Sequence, residues 1–184
     1  DAKPPRLTYR DYCVFRSKTD YSGDVAAWAA HLSPLPAALE LPGDLPKPRP
    51  FDFKGGLYSF ELPAETGKAC DRLCREWELT SFMLFISAYA LLLSRISGHE
   101  ELTVGTPVSG RSRSELWEIC GPFLSTLPMK LSARGGETVG EFLDGVKNET
   151  LWMLYHQELP LDKVLTALDL PREPGENPLY QVMF

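Results

Sequence analysis

The sequence has few of the residue patterns on which metal sites, disulfide frameworks and membrane spans depend. Its three histidines, His31, His99 and His156, are far apart in the chain, and no paired metal-ligand spacing occurs. The cysteines form no C-x-x-C pair, which argues against a disulfide framework and favours a reducing compartment. We interpret them as small apolar residues, with two of them stacked on one helix face: Cys13, Cys70, Cys74 and Cys120.

The chain also lacks an excess of positive charge and a long apolar run. The formal net charge is −6, and an acidic chain of this kind lacks the basic face that nucleic-acid binding requires. The longest apolar stretch, Phe82 to Leu93, is too short to cross a bilayer. Residues 1–5 contain no apolar signal-peptide core. We therefore expect a cytoplasmic protein whose partners are small molecules or other proteins, with neither nucleic acid nor membrane among them.

What is present favours a folded domain. With 184 residues and a hydrophobic fraction of 43%, a chain of this length buries roughly 70% of its unfolded surface. The sequence starts without Met and stops on an apolar, strand-like run, Leu179 to Phe184. Such a run needs a neighbouring strand and a cover, so we expect the chain to be a piece of something longer.

The first part of the chain carries scattered aromatic residues and then many prolines. Asp24 to Leu32 is compatible with a short helix, for which Asp24 would be the N-cap. Between Pro34 and Pro50, prolines recur at 34, 36, 42, 46, 48 and 50. Because each proline fixes φ and removes a donor, this stretch predicts an extended connector between two structural lobes.

The remainder alternates between strand and helix patterns in the order β-α-α-β-β-α-α-β, which predicts a mixed α/β layer arrangement. One helix, nearly apolar all round, should start at Thr80 or Ser81, stop at Gly98 and be buried on most sides. A capping box at Thr138 and Glu141 should open another. The remaining predictions are a half-buried strand over Leu57–Leu62, a helix over Ala64–Glu78, strands over Leu102–Val108, Phe123–Leu131 and Leu179–Phe184, and a short helix over Leu161–Leu168.

Spacing alone reveals no complete catalytic set. There is no G-x-S-x-G elbow, no phosphate-binding glycine loop and no H-E-x-x-H. His156 and Glu158 form an H-x-E, but the P-C-x-x-C of zinc deaminases is absent, so we interpret His156 as a helix-terminal residue. Arg111 and Arg113 could bind an anion or belong to a solvated loop. The residues by themselves therefore indicate one lobe of a soluble α/β protein.

Five segments in order nevertheless resemble motifs of nonribosomal peptide synthetase condensation domains. Y-R-D-Y-C-V-F at 9–15 resembles Y-x-D-[FY]-A-V-W, and G-T-P-V-S-G-R at 105–111 resembles G-T-P-V-A-G-R. C-G-P-F-L-S-T-L-P-M-K at 120–130 resembles I-G-x-F-V-N-T-L-P-L-R. H-Q-E-L-P-L-D-K-V at 156–164 resembles H-Q-D-x-P-F-E-x-[LV], and N-P-L-Y-Q-V-M-F at 177–184 is nearly identical to N-P-L-F-Q-V-M-F.

The resemblance implies a fold of two chloramphenicol-acetyltransferase-like lobes, each a mixed sheet flanked by helices, with a tunnel between them. Residues 1–50 would be the end of the first lobe and the crossover connector. Residues 51–184 would be the C-terminal lobe without its last strands and helix, so that the fold is incomplete at both ends. The family's catalytic H-H-x-x-x-D-G lies in the first lobe and does not occur in this sequence. We therefore expect this chain alone to be inactive.

The implied reaction is amide formation between donor acyl or peptidyl and acceptor aminoacyl thioesters. From this lobe, Ser125 is a candidate oxyanion donor at a position where the family usually has Asn, and backbone satisfaction of its hydroxyl is an equal alternative. Thr106 and Arg111 are candidates for lining the tunnel or holding the floor loop near Phe123–Pro128. Trp28 should pack in the core. No metal or directly bound cofactor is implied, because phosphopantetheine arms arrive on the carrier proteins.

Carrier proteins and the first lobe of the same domain are thus the implied partners, in antibiotic or siderophore biosynthesis. Three alternatives stay open at this point. The chain could belong to a non-catalytic, condensation-like platform that binds carriers, or to another coenzyme A-type acyltransferase of the superfamily. It could also belong to an epimerisation or cyclisation domain, or have no function of its own.

Overall fold

The computed structural model describes residues 6–44, 54–170 and 177–184. Within these ranges four helices precede a two-stranded sheet and two helices follow it. A single 3-10 turn, Ser114–Leu116, lies between the strands. The elements are α1 Tyr9–Lys18, α2 Ser22–Leu32, α3 Ala64–Glu76, α4 Ser81–Ser97, β1 Glu101–Val108, β2 Ser125–Ser132, α5 Val139–Tyr155 and α6 Leu161–Ala167.

The sheet is antiparallel, with β1 paired to β2 from Glu101 opposite Ser132 to Val108 opposite Ser125. Both strands were predicted, and their continuous burial is typical of a sheet covered on both faces. The predicted terminal strand is reduced to a parallel bridge between Gly105 and Met183. Gly105 donates its N–H to the Val182 carbonyl and accepts from the Phe184 N–H, each at 2.9 Å. The last segment therefore lies along β1.

Helix ends follow the predicted capping residues. The Thr80 hydroxyl accepts from the Met83 N–H at 3.2 Å, and Gly98 closes α4 with a φ of 76°. At α5, Thr138 and Glu141 form both halves of the predicted capping box. Pro160 stands at the N-cap of α6, directly before the short helix predicted from Leu161. These local signals fix the helix limits because each one satisfies or terminates the backbone hydrogen bonds.

The main core lies between the sheet and helices α2, α4, α5 and α6. Trp28, predicted to pack, is fully buried there. Other buried members are Leu32, Ile86, Leu102, Val104, Leu127, Met129, Leu131, Met153 and Val164. Helix α4 packs against α3, α5 and β1, while Leu91, Leu92 and Ile96 remain exposed. The prediction that α4 is buried on most sides is therefore confirmed only in part: most of its residues in the described part of the chain are buried or half-buried, and one strip is exposed.

The predicted half-buried strand over Leu57–Leu62 is absent among the described residues. This segment has no regular secondary structure, and its side chains are exposed, with Leu57 94% accessible. Alternation of apolar and polar residues makes a strand only where another strand accepts its backbone bonds. In the described ranges no strand lies beside it, so the predicted element order loses its first strand.

The N-terminal part differs from expectation in two ways. Helix α1 was not predicted, although Thr8 and Asp11 form a capping box at its start. Helix α2 begins at Ser22, so Asp24 lies in its first turn and is not the N-cap. A carboxylate there still faces the positive end of the helix dipole, which explains why the residue type suggested a start.

The proline-rich connector is described only in part. Residues 34–44 contain no helix or strand, as expected for that portion. Prolines 46, 48 and 50, and with them the proposed lobe boundary at residue 50, lie outside the described residues. Pro171 and Pro174, at which the sequence indicates a loop before the terminal strand, also lie outside them.

All four cysteines are free thiols, with Cys70 and Cys74 half-buried on α3 and the other two exposed. No single helix of the described ranges is long and apolar enough to span a bilayer. In the part of the chain that the structure describes, α3 and α4 together have the length and apolar content of a span, but the two helices are bent by 107°.

Candidate functional site: a cavity where the motif segments meet

A cavity of about 320 Å³ lies between α1, the loop that follows β1, the start of β2 and the turn after α5. Its walls are mostly rings and aliphatic chains, and its edge carries charged groups. Four of the five motif-like segments contribute to the lining, although they are spread from residue 9 to residue 164. The lining residues include Asp11, Tyr12, Phe15, Gly110, Phe123, Ser125, Gln157 and Glu158.

One wall is an aromatic cluster that joins α1 to the loop. Phe123 lies against Tyr9 edge-to-face at 5.2 Å and against Tyr12 at 4.6 Å between ring centroids. The Tyr9 hydroxyl donates to the Pro122 carbonyl at 3.0 Å. A Cβ at Gly121 would collide with the Tyr9 ring, so glycine permits this close approach.

Arg111 holds the loop together from inside. Its guanidinium lies over the Phe123 ring, 4.1 Å from the centroid, and donates to the Leu116 carbonyl. Gly110 has a φ of 65° and brings its backbone against the Phe123 carbonyl, where a side chain would not fit. The arginine therefore meets an aromatic face and a backbone carbonyl within its own loop.

Arg16 ties α1 to the turn after α5. It donates to the hydroxyls of Tyr12 at 3.0 Å and Tyr21 at 3.2 Å, and to the Glu158 carbonyl at 3.0 Å. The planar guanidinium suits this task because it presents several donors in fixed directions. One side chain thus closes the cavity between elements far apart in sequence.

Glu158 ties the same turn to the loop after β1. Its Oε1 accepts from the Ser112 hydroxyl at 2.6 Å and from the Nε of Arg113 at 3.4 Å. The hydrogen bond from Ser112 lowers the pKa of the Glu158 carboxyl, and the positive charge of Arg113 acts in the same direction. The carboxylate is therefore held in its ionised form at the cavity edge.

Behind this turn lies a second polar cluster, which links α2 to α5. His31 stacks on Trp152 and bonds Glu149 at 2.7 Å, and Nδ1 of His156 lies 3.2 Å from Asp24. His156 is the C-cap of α5, in agreement with its interpretation as a helix-terminal residue. No sequence motif predicted the His31–Glu149 pair, because the two residues are 118 positions apart.

The three predicted site residues have different surroundings. Ser125 is half-buried, begins β2 and lines the cavity. Arg111 belongs to the loop that forms one wall. Thr106 is buried in β1 with its hydroxyl 3.4 Å from the Met129 sulfur, and it is not among the lining residues. The functions assigned to all three stay predictions.

Sequence reasoning missed Ser112, Glu158 and Arg16 as members of the site. Glu158 lies inside a motif-like segment, so it could have been selected, whereas Ser112 and Arg16 lie just outside such segments. Within the described ranges no group of three or more His, Cys, Asp or Glu residues is placed to hold a metal ion.

An α/β lobe with its motif segments gathered at one cavity corresponds to the fold of condensation domains. The family model named Condensation domain matches residues 1–184, and the chain belongs to this family. Malpinin synthetase of Mortierella alpina is 35% identical over 98% of this chain, and tyrocidine synthase 2 of Brevibacillus parabrevis is 33% identical over 97%. The chain spans only 2% and 5% of those two proteins.

Among solved structures, the X-domain in its complex with OxyB from teicoplanin biosynthesis is similar to this chain. The TM-score is 0.90 at 21% identity, and the match covers 100% of this chain and 42% of the other. At that identity the likeness concerns the fold alone. It agrees with the predicted α/β class of a condensation-type lobe.

Proposed function

We propose that this chain is part of a condensation domain that forms an amide bond between two carrier-bound thioesters. The acceptor amine attacks the donor carbonyl carbon, the new C–N bond replaces the C–S bond, and the thiol leaves with the proton lost by the amine. The observation that supports this proposal is the meeting of four family-like segments around one cavity. Residues spread over the whole sequence converge there.

The contribution of this chain is to hold reactants in line and to stabilise charge. Fixing two reacting ends in an attack geometry lowers the barrier by up to about 7–11 kcal/mol. Negative charge develops on the donor carbonyl oxygen, and a prearranged hydroxyl or N–H stabilises it. Ser125, which lines the cavity at the start of β2, is the proposed donor from this lobe.

The proton-transferring histidine of the reaction is proposed to come from the first lobe. This sequence contains no H-H-x-x-x-D-G, and two of its histidines are engaged with the carboxylates of Glu149 and Asp24. The proposal accordingly includes the first lobe and the two carrier proteins as partners in the cytoplasm. Phosphopantetheine arms would be brought by the carriers, in the synthesis of an antibiotic or siderophore.

Complementation tests this function. The chain is mixed with the first lobe of its parent domain and with donor-loaded and acceptor-loaded carriers, and dipeptidyl-carrier is measured by mass spectrometry. We expect product only when both pieces are present. Turnover by this chain alone would contradict the assignment of the histidine to the first lobe.

A matched pair of serine variants tests the proposed donor. Ser125→Ala should lower the rate about tenfold or more, since it removes a hydroxyl aimed at developing charge. Ser132 lies at the other end of β2, where its hydroxyl is buried without a partner among the described residues. Ser132→Ala should therefore leave the rate unchanged. Equal rates for both variants would remove Ser125 from the mechanism.

A second candidate is a non-catalytic platform that binds another protein of the assembly. The observation that favours it is the fold shared with an X-domain, whose solved complex contains OxyB. The same complementation separates the two functions. A tight complex of both pieces with carriers but without product would support the platform.

A further inference from the structure

We infer that Ser112 and Glu158 form a positioning pair for the condensation reaction, an inference that rests on the proposed function. The pair connects the turn after α5 to the loop of residues 109–124, which we call the wall loop. The 2.6 Å contact joins a hydroxyl donor to a carboxylate, and such charge-assisted bonds are about twice as strong as neutral ones. Neither residue is assigned a role in the reaction by the family-like motifs.

Glu158 is a junction of three elements. Its carbonyl oxygen accepts from Arg16 on α1, and its carboxylate accepts from Ser112 and Arg113 of the wall loop. Its own backbone belongs to the turn after α5. Arg16, Ser112 and Arg113 all line the cavity, so Glu158 sets the distance between the wall loop and α1.

The wall loop is bonded internally, which holds its residues in one arrangement. Arg111 donates to the Leu116 carbonyl, and the indole N–H of Trp117 donates to the Arg111 carbonyl at 3.3 Å. Arg111 also covers the ring of Phe123, two residues before Ser125. Fixing Ser112 to the turn therefore fixes the wall that ends at the proposed oxyanion donor.

The pair contributes little to global stability, which separates a positioning role from a purely structural one. The side chains of Glu158 and Arg113 are 43% and 55% exposed. Exposed ion pairs add little to the free energy of unfolding because water screens them. A displacement of about 1 Å in a reacting group can nevertheless reduce the rate by about a hundredfold.

The test combines hydrogen exchange on this chain with kinetics on the complemented domain. The variants are Ser112→Ala, Ser112→Thr, Glu158→Ala and the Ser112→Ala/Glu158→Ala double variant. Glu118→Ala is the matched control, because Glu118 is exposed on the same loop and lies outside the cavity lining. Rates are measured at saturating loaded carriers, together with the carrier concentration for half-maximal rate and the unfolding midpoint.

We expect Ser112→Ala and Glu158→Ala each to lower the saturating rate about tenfold, with the half-maximal concentration and the unfolding midpoint unchanged. The double variant should be no slower than the slower single variant, because both remove the same bond. Ser112→Thr keeps the hydroxyl and should stay near the wild-type rate. The backbone N–H groups of Leu116 and Trp117 should exchange about tenfold faster in both alanine variants.

Failure of this inference is distinguishable from failure of the proposed function. The positioning pair would be overturned if Ser112→Ala had the wild-type condensation rate and the wild-type hydrogen exchange. It would also be overturned if the rate losses of the two single variants added up in the double variant. In both cases the proposed condensation function would stand. No product from the wild-type pieces would overturn the proposed function, and with it the kinetic role of the pair. If the variants that lose rate also unfold at a lower midpoint, the positioning role of the pair would be overturned.

Discussion

The imidazole of His31 lies flat on the indole of Trp152, with ring centroids 3.6 Å apart and planes inclined by 11°. The same imidazole bonds Glu149, whose other carboxylate oxygen accepts the backbone N–H of Lys130 in β2 at 2.9 Å. Glu149 is only 9% accessible. One nearly buried carboxylate therefore joins α2, α5 and β2.

Replacing Glu149 by alanine should lower the free energy of unfolding by about 1–3 kcal/mol. The change leaves the Lys130 N–H and the His31 ring without their acceptor. Asn148→Ala, on the exposed side of the same helix, is the control and should differ little from wild type. Urea denaturation measures both. Coincident midpoints for the two variants would show that the carboxylate is dispensable.

Gly105 has no room for a side chain. A Cβ there would lie 2.5 Å from the ring of Tyr180, which anchors the last described segment against β1. Gly105→Ala should therefore destabilise the protein by about 1–3 kcal/mol through overpacking. A Cβ at Gly145 in α5 would meet no atom of the described residues within 4 Å, so Gly145→Ala should be neutral or stabilising by about 0.5–1 kcal/mol. Thermal unfolding measures both variants, and equal midpoints would contradict the close contact between Gly105 and Tyr180.

The start of α5 depends on the Thr138 cap. The hydroxyl accepts the Glu141 N–H at 3.3 Å, and Glu141 accepts the Thr138 N–H at 2.9 Å. Thr138→Ala should cost about 1 kcal/mol of unfolding free energy. Thr66→Ala, exposed in the first turn of α3, is the control and should lose nothing because alanine favours helix. Loss of equal size in both would argue against a capping contribution.

Acid should weaken the bond between Glu158 and Ser112. The pKa of Glu158 lies below its ordinary value because Ser112 donates to the carboxylate. Its contribution is therefore complete above the pKa of the unfolded chain and is lost as pH falls through the lower, folded pKa. Because the pair adds little to global stability, the effect is measured as hydrogen-exchange protection of the Leu116 and Trp117 N–H groups. Glu158→Gln should remove the fall in protection that wild type shows as pH drops below the ordinary glutamate pKa. Glu118→Gln should leave the pH profile of protection unchanged, and parallel curves for wild type and Glu158→Gln would contradict the assignment.

Helix limits could be predicted where a local signal fixes them, as the caps at Thr80, Gly98 and Thr138 do. Helix α1 was missed because its cap uses Asp11 where the usual box has Glu or Gln. The segment at 57–62 was predicted to be a strand from the alternation of its side chains alone. Pairing depends on another strand, which the pattern does not contain.

The family could be recognised from the motif-like segments, but the bonds across the cavity could not. Ser112 and Glu158 are 46 positions apart, and their contact follows from how the loop and the turn face each other. Arg111 illustrates the same limit. The sequence suggested that Arg111 binds an anion or belongs to a solvated loop. In the structure its guanidinium lies over the Phe123 ring and donates to the Leu116 carbonyl.

The bond from Arg16 to the Glu158 carbonyl also has a consequence for synthesis on the ribosome. Its two ends are 142 residues apart, which at about 5–20 residues per second separates their translation by on the order of ten seconds. During that interval the turn after α5, which packs against α1, has not yet been synthesised. Contacts of such sequence separation form late in folding. The newly made chain should therefore need protection from aggregation until the turn after α5 has emerged.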